Sequence, residues 1–276
     1  MADWGKILSR GNVDDRRSFA PAAVGGVSLL GVIAVFLFNY ISGGEIPLDD
    51  VLRQIEKLPV EQRQSVQGDT FEGEDSYETF ASTVLGSNND MWTEVFNKSN
   101  RTYNPPRLVL FRIGTESACG GATSEIGPHY CSVDSTIYLD ETFFDELQTR
   151  FGAQGGDVAE AYVIAHEVAH HAQSELGIMD EAYAGGRENE MSVKVELQAD
   201  CFAGMWAQSI RHLQVFEPGE IQEAMDAAAA VGDDRIQKRA TGYVNPESWT
   251  HGSSEQRMSW FTKGYESGSL NACNTF

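Results

Sequence analysis

From Phe19 to Ser42 the chain carries no charged side chain. Within that stretch AAVGGVSLLGVIAVFLFNYIS supplies about 20 mostly apolar residues, enough for a helix to cross a hydrocarbon core of roughly 30 Å. A helix buried in a soluble core would show a polar stripe, and here only Ser28 and Asn39 interrupt the run. A cleaved signal peptide would end in small residues of A-x-A type, whereas this run ends in Asn39-Tyr40-Ile41-Ser42. The expectation is an uncleaved anchor. Arg16 and Arg17 precede it, and Glu45, Asp49 and Asp50 follow it. The positive-inside rule then makes residues 1–19 a cytoplasmic segment, 20–42 a single transmembrane helix and 43–276 an extracytoplasmic domain at the cell membrane.

That domain is large enough to bury a core. The 276 residues are 41% hydrophobic and 22% charged, which excludes a chain disordered throughout. Twenty basic residues stand against 41 acidic ones, a formal net charge of -21. Such a surface repels phosphate and argues against nucleic acid as a partner, and against docking on anionic lipid through a basic patch. Four cysteines on the far side of a membrane favour two disulfides. They allow three connectivities, and Cys119 with Cys131 and Cys201 with Cys273 is the preferred one. No pair has the short spacing of a four-cysteine zinc site.

The pattern along the chain is α+β, rich in helix with a small sheet. Residues 43–50 read as a linker and 49–66 as a short amphipathic helix broken by Pro59. Residues 75–98 have helical spacing with a break near Gly86-Ser87-Asn88. RLVLFRI (107–113) and STIYLD (135–140) read as strands. Residues 141–151 read as a short helix and 157–176 as a long one that stops at Gly177. A loop over 178–187 leads to a second long helix over 189–213, and further helices follow Pro218 and Ser253.

The chemistry is concentrated in HEVAH, residues 166–170. His166 and His170 are four apart, so on a helix they share one face and can take two corners of a tetrahedral zinc site. Glu167 is turned about 100° away and can reach a water on the metal as general base without being a ligand. His171 is turned about 100° from His170 and suits a supporting or surface position better than ligation. A hydrolytic zinc site needs a third protein ligand. In VELQADCFAGMW, Glu196 and Asp200 are four apart on an apolar helix. Glu196 is the expected ligand, and Asp200 the group that orients a ligand histidine. The reverse assignment stays open.

VIAHEVAHHAQ followed by ELQADCFAG resembles the bacterial neutral zinc metallopeptidases, the YpfJ-like proteins. PPRLVLF, ACGGATSEIGPHYC, IYLDETFF, AAAAVGDDRIQ, THGSSEQR and CNTF extend the resemblance to the C-terminus. It implies a zincin-like fold, bound Zn2+ and a peptide or protein substrate. Glu-x-x-Ala-Asp is also similar to membrane CAAX-type and heat-shock metalloproteases, gluzincins in which the glutamate is the third ligand. That supports His166, His170 and Glu196 as the metal set and Asp200 behind them. The same resemblance suggests His251 as a donor to the developing oxyanion and Arg257 as a partner of Asp200 or Glu196. Ala169 stands where the family pattern has glycine.

The expected function is therefore that of a membrane-anchored zinc metallopeptidase. Zinc lowers the pKa of a water towards roughly 7, and Glu167 takes its proton. Two alternatives are a non-catalytic membrane-tethered binding or assembly protein with a vestigial metal site, and a zinc amidase acting on cell-wall material. The oligomeric state is left open.

Overall fold

In the computed structural model, residues 1–17, 75–184 and 189–276 are described. The expected span at 20–42, the linker at 43–50, the helix at 49–66 and the end of the 178–187 loop lie outside the described residues. No helix among the described residues is long and apolar enough to cross a membrane. Residues 1–16 and 71–276 form one compact unit, and 17–70 fall in a second, of which only Arg17 is described.

The first unit is α+β. Its strands are β1 (Val13–Asp15), β2 (Arg107–Phe111), β3 (Gly114–Ser117), β4 (Gly120–Thr123), β5 (His129–Cys131) and β6 (Thr136–Asp140). Its helices are α1 (Ser76–Lys98), α2 (Phe143–Thr149), α3 (Asp157–Leu176), α4 (Ile178–Tyr183), α5 (Asn189–Ser209), α6 (Ile221–Ala230), α7 (Asp233–Thr241) and α8 (Ser254–Ser267). One sheet runs β1-β2-β6-β5, with β1 and β6 parallel to β2 and β5 antiparallel to β6. The strands β3 and β4 form a separate antiparallel hairpin. Every residue of β6, and all of β2 except Arg107, is buried, which is why both read as apolar runs without alternation.

Residues 1–16 are part of this unit. Val13, Asp14 and Asp15 pair in parallel with Leu108, Val109 and Leu110. The Trp4 indole lies parallel to that of Trp206, 6.5 Å away, and its Nε1–H donates to Asp157 Oδ2 at 2.7 Å. Ile7 is buried. These contacts join the start of the chain to the first residue of α3.

The same docking explains why α1 is unbroken. A Cβ at Gly86 would stand 2.6 Å from the Arg10 backbone, so the glycine serves close approach of another segment rather than termination. Gly11 N–H donates to the Ser82 carbonyl and the Ser82 hydroxyl donates back to the Gly11 carbonyl, at 2.7 and 2.9 Å.

The helix α3 spans the residues its pattern predicts. Asp157 and Glu160 lie in the first turn, where the helix dipole favours acid, and Gly177 ends it at φ 80°, in the left-handed region. Ala161, Ala165, Ala169 and Ala172 are all buried, so Ala169 is accommodated on a close-packed face. The helices α5 and α8 meet through glycine: a Cβ at Gly264 would lie 1.9 Å from the Cys201 carbonyl oxygen, and one at Gly204 would lie 2.1 Å from that of Phe261. Only glycine permits this crossing, and it brings the start of α8 against Asp200.

Two disulfides are present, Cys119–Cys131 and Cys201–Cys273, and no described cysteine is free. The first ties the turn between β3 and β4 to β5. The second ties the C-terminal tail to α5. Helix α4 occupies part of the expected 178–187 loop, and the expected 189–213 helix stops at Ser209 before a short 3-10 turn.

Candidate active site

Helix α3 presents His166 and His170 on one face, and α5 presents Glu196 opposite them. The two Nε2 atoms are 3.2 Å apart. His166 Nε2 is 3.2 Å from Glu196 Oε2, and His170 Nε2 is 3.3 Å from Glu196 Oε1. One ligand atom from each of the three residues lies within 4.8 Å of the others, so the group can hold a metal ion.

The donor chemistry fits zinc. His166 Nδ1 faces Asp200 Oδ1 at 3.0 Å, and His170 Nδ1 faces Gln173 Oε1 at 2.9 Å. With both Nδ1 atoms occupied by acceptors, both Nε2 lone pairs turn to the centre, and a carboxylate completes a His-His-Glu set. Burial opposes charge on His166, but Asp200 and Glu196 outweigh it and push its pKa up to about 10. Burial likewise opposes the Glu196 anion, and the two histidines hold its pKa well below the ordinary carboxylate range.

Behind these three side chains lies a buried ionic cluster. Asp200 is fully buried and receives Arg257 Nε at 2.8 Å and Nη2 at 2.9 Å. The Tyr162 hydroxyl donates to Asp200 Oδ1 at 2.6 Å and accepts from Arg257 Nη2 at 3.2 Å. Arg257 Nη2 is also 3.8 Å from Glu196 Oε2. Burial alone would raise the Asp200 pKa, and Arg257 and His166 keep it low. The bidentate Arg257 pair fixes Asp200, and Asp200 fixes the His166 ring.

Glu167, Glu196, His251 and Arg257 line a cleft of about 470 Å³ together with His166 and His170. Phe143, Phe151, Val163 and Met179 give it an apolar wall, and His129 and Tyr130 of edge strand β5 give it another side. His251 is half exposed, with Nδ1 3.2 Å from Asp233 Oδ1. Asp233 Oδ2 also accepts the backbone N–H groups of Thr250, His251 and Gly252, at 2.8, 2.6 and 3.0 Å. Those bonds hold the loop that carries His251. His171 points elsewhere: its Nε2–H donates to the Asn104 carbonyl at 2.7 Å and its Nδ1 accepts from the Tyr130 hydroxyl at 3.0 Å. Burial pushes its pKa down, which suits a neutral ring in that position.

The sequence profile of the family described as "Putative neutral zinc metallopeptidase" matches residues 2–276. The chain belongs to that family. A relative named "Uncharacterized protein YpfJ", from Escherichia coli (strain K12), is 40% identical over 291 residues, covering 99% of this chain and 98% of its own. "Uncharacterized protein Rv2575", from Mycobacterium tuberculosis (strain ATCC 25618 / H37Rv), is 48% identical over 185 residues, 63% of each chain. No solved structure matches the chain.

Sequence reasoning missed Tyr162, Gln173, Asp233 and the two β5 residues. Tyr162 stands four before His166 and Gln173 three after His170, so helical spacing alone places them beside the two histidines. Asp233 and β5 arrive from distant segments; both lie in stretches that carry the family resemblance, but no helical spacing ties them to the histidines.

Proposed function

We propose that this protein is a zinc-dependent peptidase in which His166, His170 and Glu196 hold the metal and Glu167 is the general base. The observation that carries the reading is the convergence of two imidazole Nε2 atoms and one carboxylate within 4.8 Å, at a cleft that Glu167 also lines. When bound, zinc supplies a Lewis acid for the carbonyl and a lowered pKa for water. Glu167 takes a proton from the attacking water and returns it to the leaving amine. His251, steadied by Asp233, donates to the oxygen that gains charge. The apolar wall receives an apolar side chain next to the scissile bond.

The test is incubation of the full-length, zinc-loaded protein with unfolded protein, with peptides bearing apolar or charged residues, and with peptidoglycan fragments. Cleavage of the apolar peptides supports the reading. Release of products from peptidoglycan alone would replace it with an amidase, and no hydrolysis by a metal-loaded protein would leave a binding protein.

The ligand assignment has its own test. Glu196→Ala should lose stoichiometric zinc, whereas Asp200→Ala should weaken binding by roughly 10–100-fold, as loss of a partner behind a ligand does. Elemental analysis and competitive titration measure both. If Asp200→Ala strips the metal and Glu196→Ala keeps it, the two roles are exchanged.

We further propose that the uncharged run at 20–42 attaches the protein to a membrane with its described part in an oxidising compartment, which suits two disulfides. Residues 1–16 and 71–276 belong to one unit. That packing supports attachment that leaves both on one side, whereas a single crossing would require residues 13–15 to leave the sheet. Leu8 and Tyr243 are exposed, and no described cysteine is free. Leu8→Cys and Tyr243→Cys should therefore react with an impermeant maleimide from the same side of the membrane. Labelling from opposite sides would restore the single crossing.

A further inference from the structure

The two ligand histidines are supported differently. His166 leans on the anion Asp200, as described. His170 leans on a chain of neutral amides that ends far away in sequence. We infer that Gln173, braced by Gln198 and the C-terminal tail, is a positioning residue that holds His170 in its metal-binding tautomer. The inference rests on the metal-centre reading above.

Hydrogen-bond polarity carries the argument. Gln198 Nε2 is 3.1 Å from the Cys273 carbonyl, and Gln173 Nε2 is 2.8 Å from the Val195 carbonyl. A carbonyl only accepts, so in both side chains the NH2 end must face these partners. Gln173 Nε2 is also 3.0 Å from Gln198 Oε1, which is the acceptor end that remains. The free end of Gln173 is then Oε1, which can only accept, and it lies 2.9 Å from His170 Nδ1. His170 must donate from Nδ1, and a neutral ring that does so keeps its lone pair on Nε2, towards Glu196. Each atom in the chain has one admissible role, so the tautomer of His170 is set by the Val195 carbonyl and, through Gln198, by the Cys273 carbonyl.

Both ends of this chain are anchored. Gln173 and Gln198 are buried. Cys273 is bonded to Cys201, the residue after Asp200 in α5. The carboxylate that orients one imidazole and the disulfide that pins the support of the other therefore occupy adjacent positions. The amide chain adds no charge, so the second imidazole is oriented without a further anion to weaken the pull of the cation on substrate.

Two variants of the full-length protein separate positioning from packing. Gln173→Leu removes the acceptor for His170 and should lower zinc affinity by roughly 10–100-fold. Gln173→Glu keeps an acceptor for His170 but sets oxygens against the Val195 carbonyl and Gln198 Oε1. It should lose more thermal stability than Gln173→Leu and less zinc affinity. The expected result is this opposite ranking in zinc competition titrations and thermal melts of the apo-proteins. Affinity that follows stability across both variants, or stays at the wild-type value in Gln173→Leu, overturns the inference. Where Gln173→Leu does not fold, Gln198→Leu, which leaves Gln173 itself in place, is used instead: zinc affinity should fall, and an unchanged value overturns the inference. A wild-type protein that takes up no stoichiometric zinc would instead reject the metal centre itself, and the wild-type titration reads that first.

Discussion

Glu167→Gln should bind zinc as tightly as the wild type and turn over substrate at least about 10²–10⁴-fold more slowly, the range that general-base catalysis contributes. Glu167 lies between the ligand histidines in sequence and lines the same cleft, yet it is not among the three groups whose ligand atoms converge. Glutamine has nearly the same shape and keeps the helix and the cleft lining. What it lacks is a basic oxygen. Metal content by elemental analysis and initial rates on a peptide substrate report the two roles separately. Undiminished turnover would remove Glu167 from the chemistry, and loss of zinc would mean that it helps to hold the metal.

Arg257→Met should cost about 3–5 kcal/mol of folding stability, the usual consequence of leaving one member of a buried ion pair alone. Asp200 has no solvent exposure and Arg257 only 3%, so water cannot replace the guanidinium. Three hydrogen bonds among Arg257, Asp200 and Tyr162 would be lost together. Methionine fills similar volume, which keeps a cavity from dominating the result. Denaturant unfolding of the metal-free protein measures the difference. A loss below about 1 kcal/mol is what a solvated surface pair gives, and it would mean that the cluster is open to water. Zinc affinity should fall as well, because Asp200 would no longer be held against His166.

Much of the fold is legible where one element carries its own signals. The helix α3 has acid at its start, alanine on its packed face and glycine at its end, and its limits follow from those residues alone. The strands β2 and β6 announce themselves as apolar runs. The reading fails where a residue answers to a distant segment. Gly86 looks like a helix breaker until residues 10 and 11 are seen lying across it. Val13-Asp14-Asp15 has no strand signature, and it becomes a strand because β2 offers it an edge. The site follows the same division. His166, Glu167 and His170 are readable from one turn of helix, whereas the approach of Glu196 depends on how α3 and α5 pack. That Arg257 reaches Asp200 depends on a glycine crossing between α5 and α8, for which the sequence offers only two unremarked glycines.

The docking of the first residues against the body of the protein also sets an order of events in biosynthesis. Asp3 N–H donates to the Val215 carbonyl, and β1 pairs with a strand more than ninety positions downstream. Residues 3–15 thus leave the ribosome well before the segments they pair with. Such long loops close slowly, and until they do the apolar faces that meet Trp4 and Ile7 stay open to aggregation. A cut or tag that delays the return of residues 3–15 should reduce the yield of native protein before it alters the finished site.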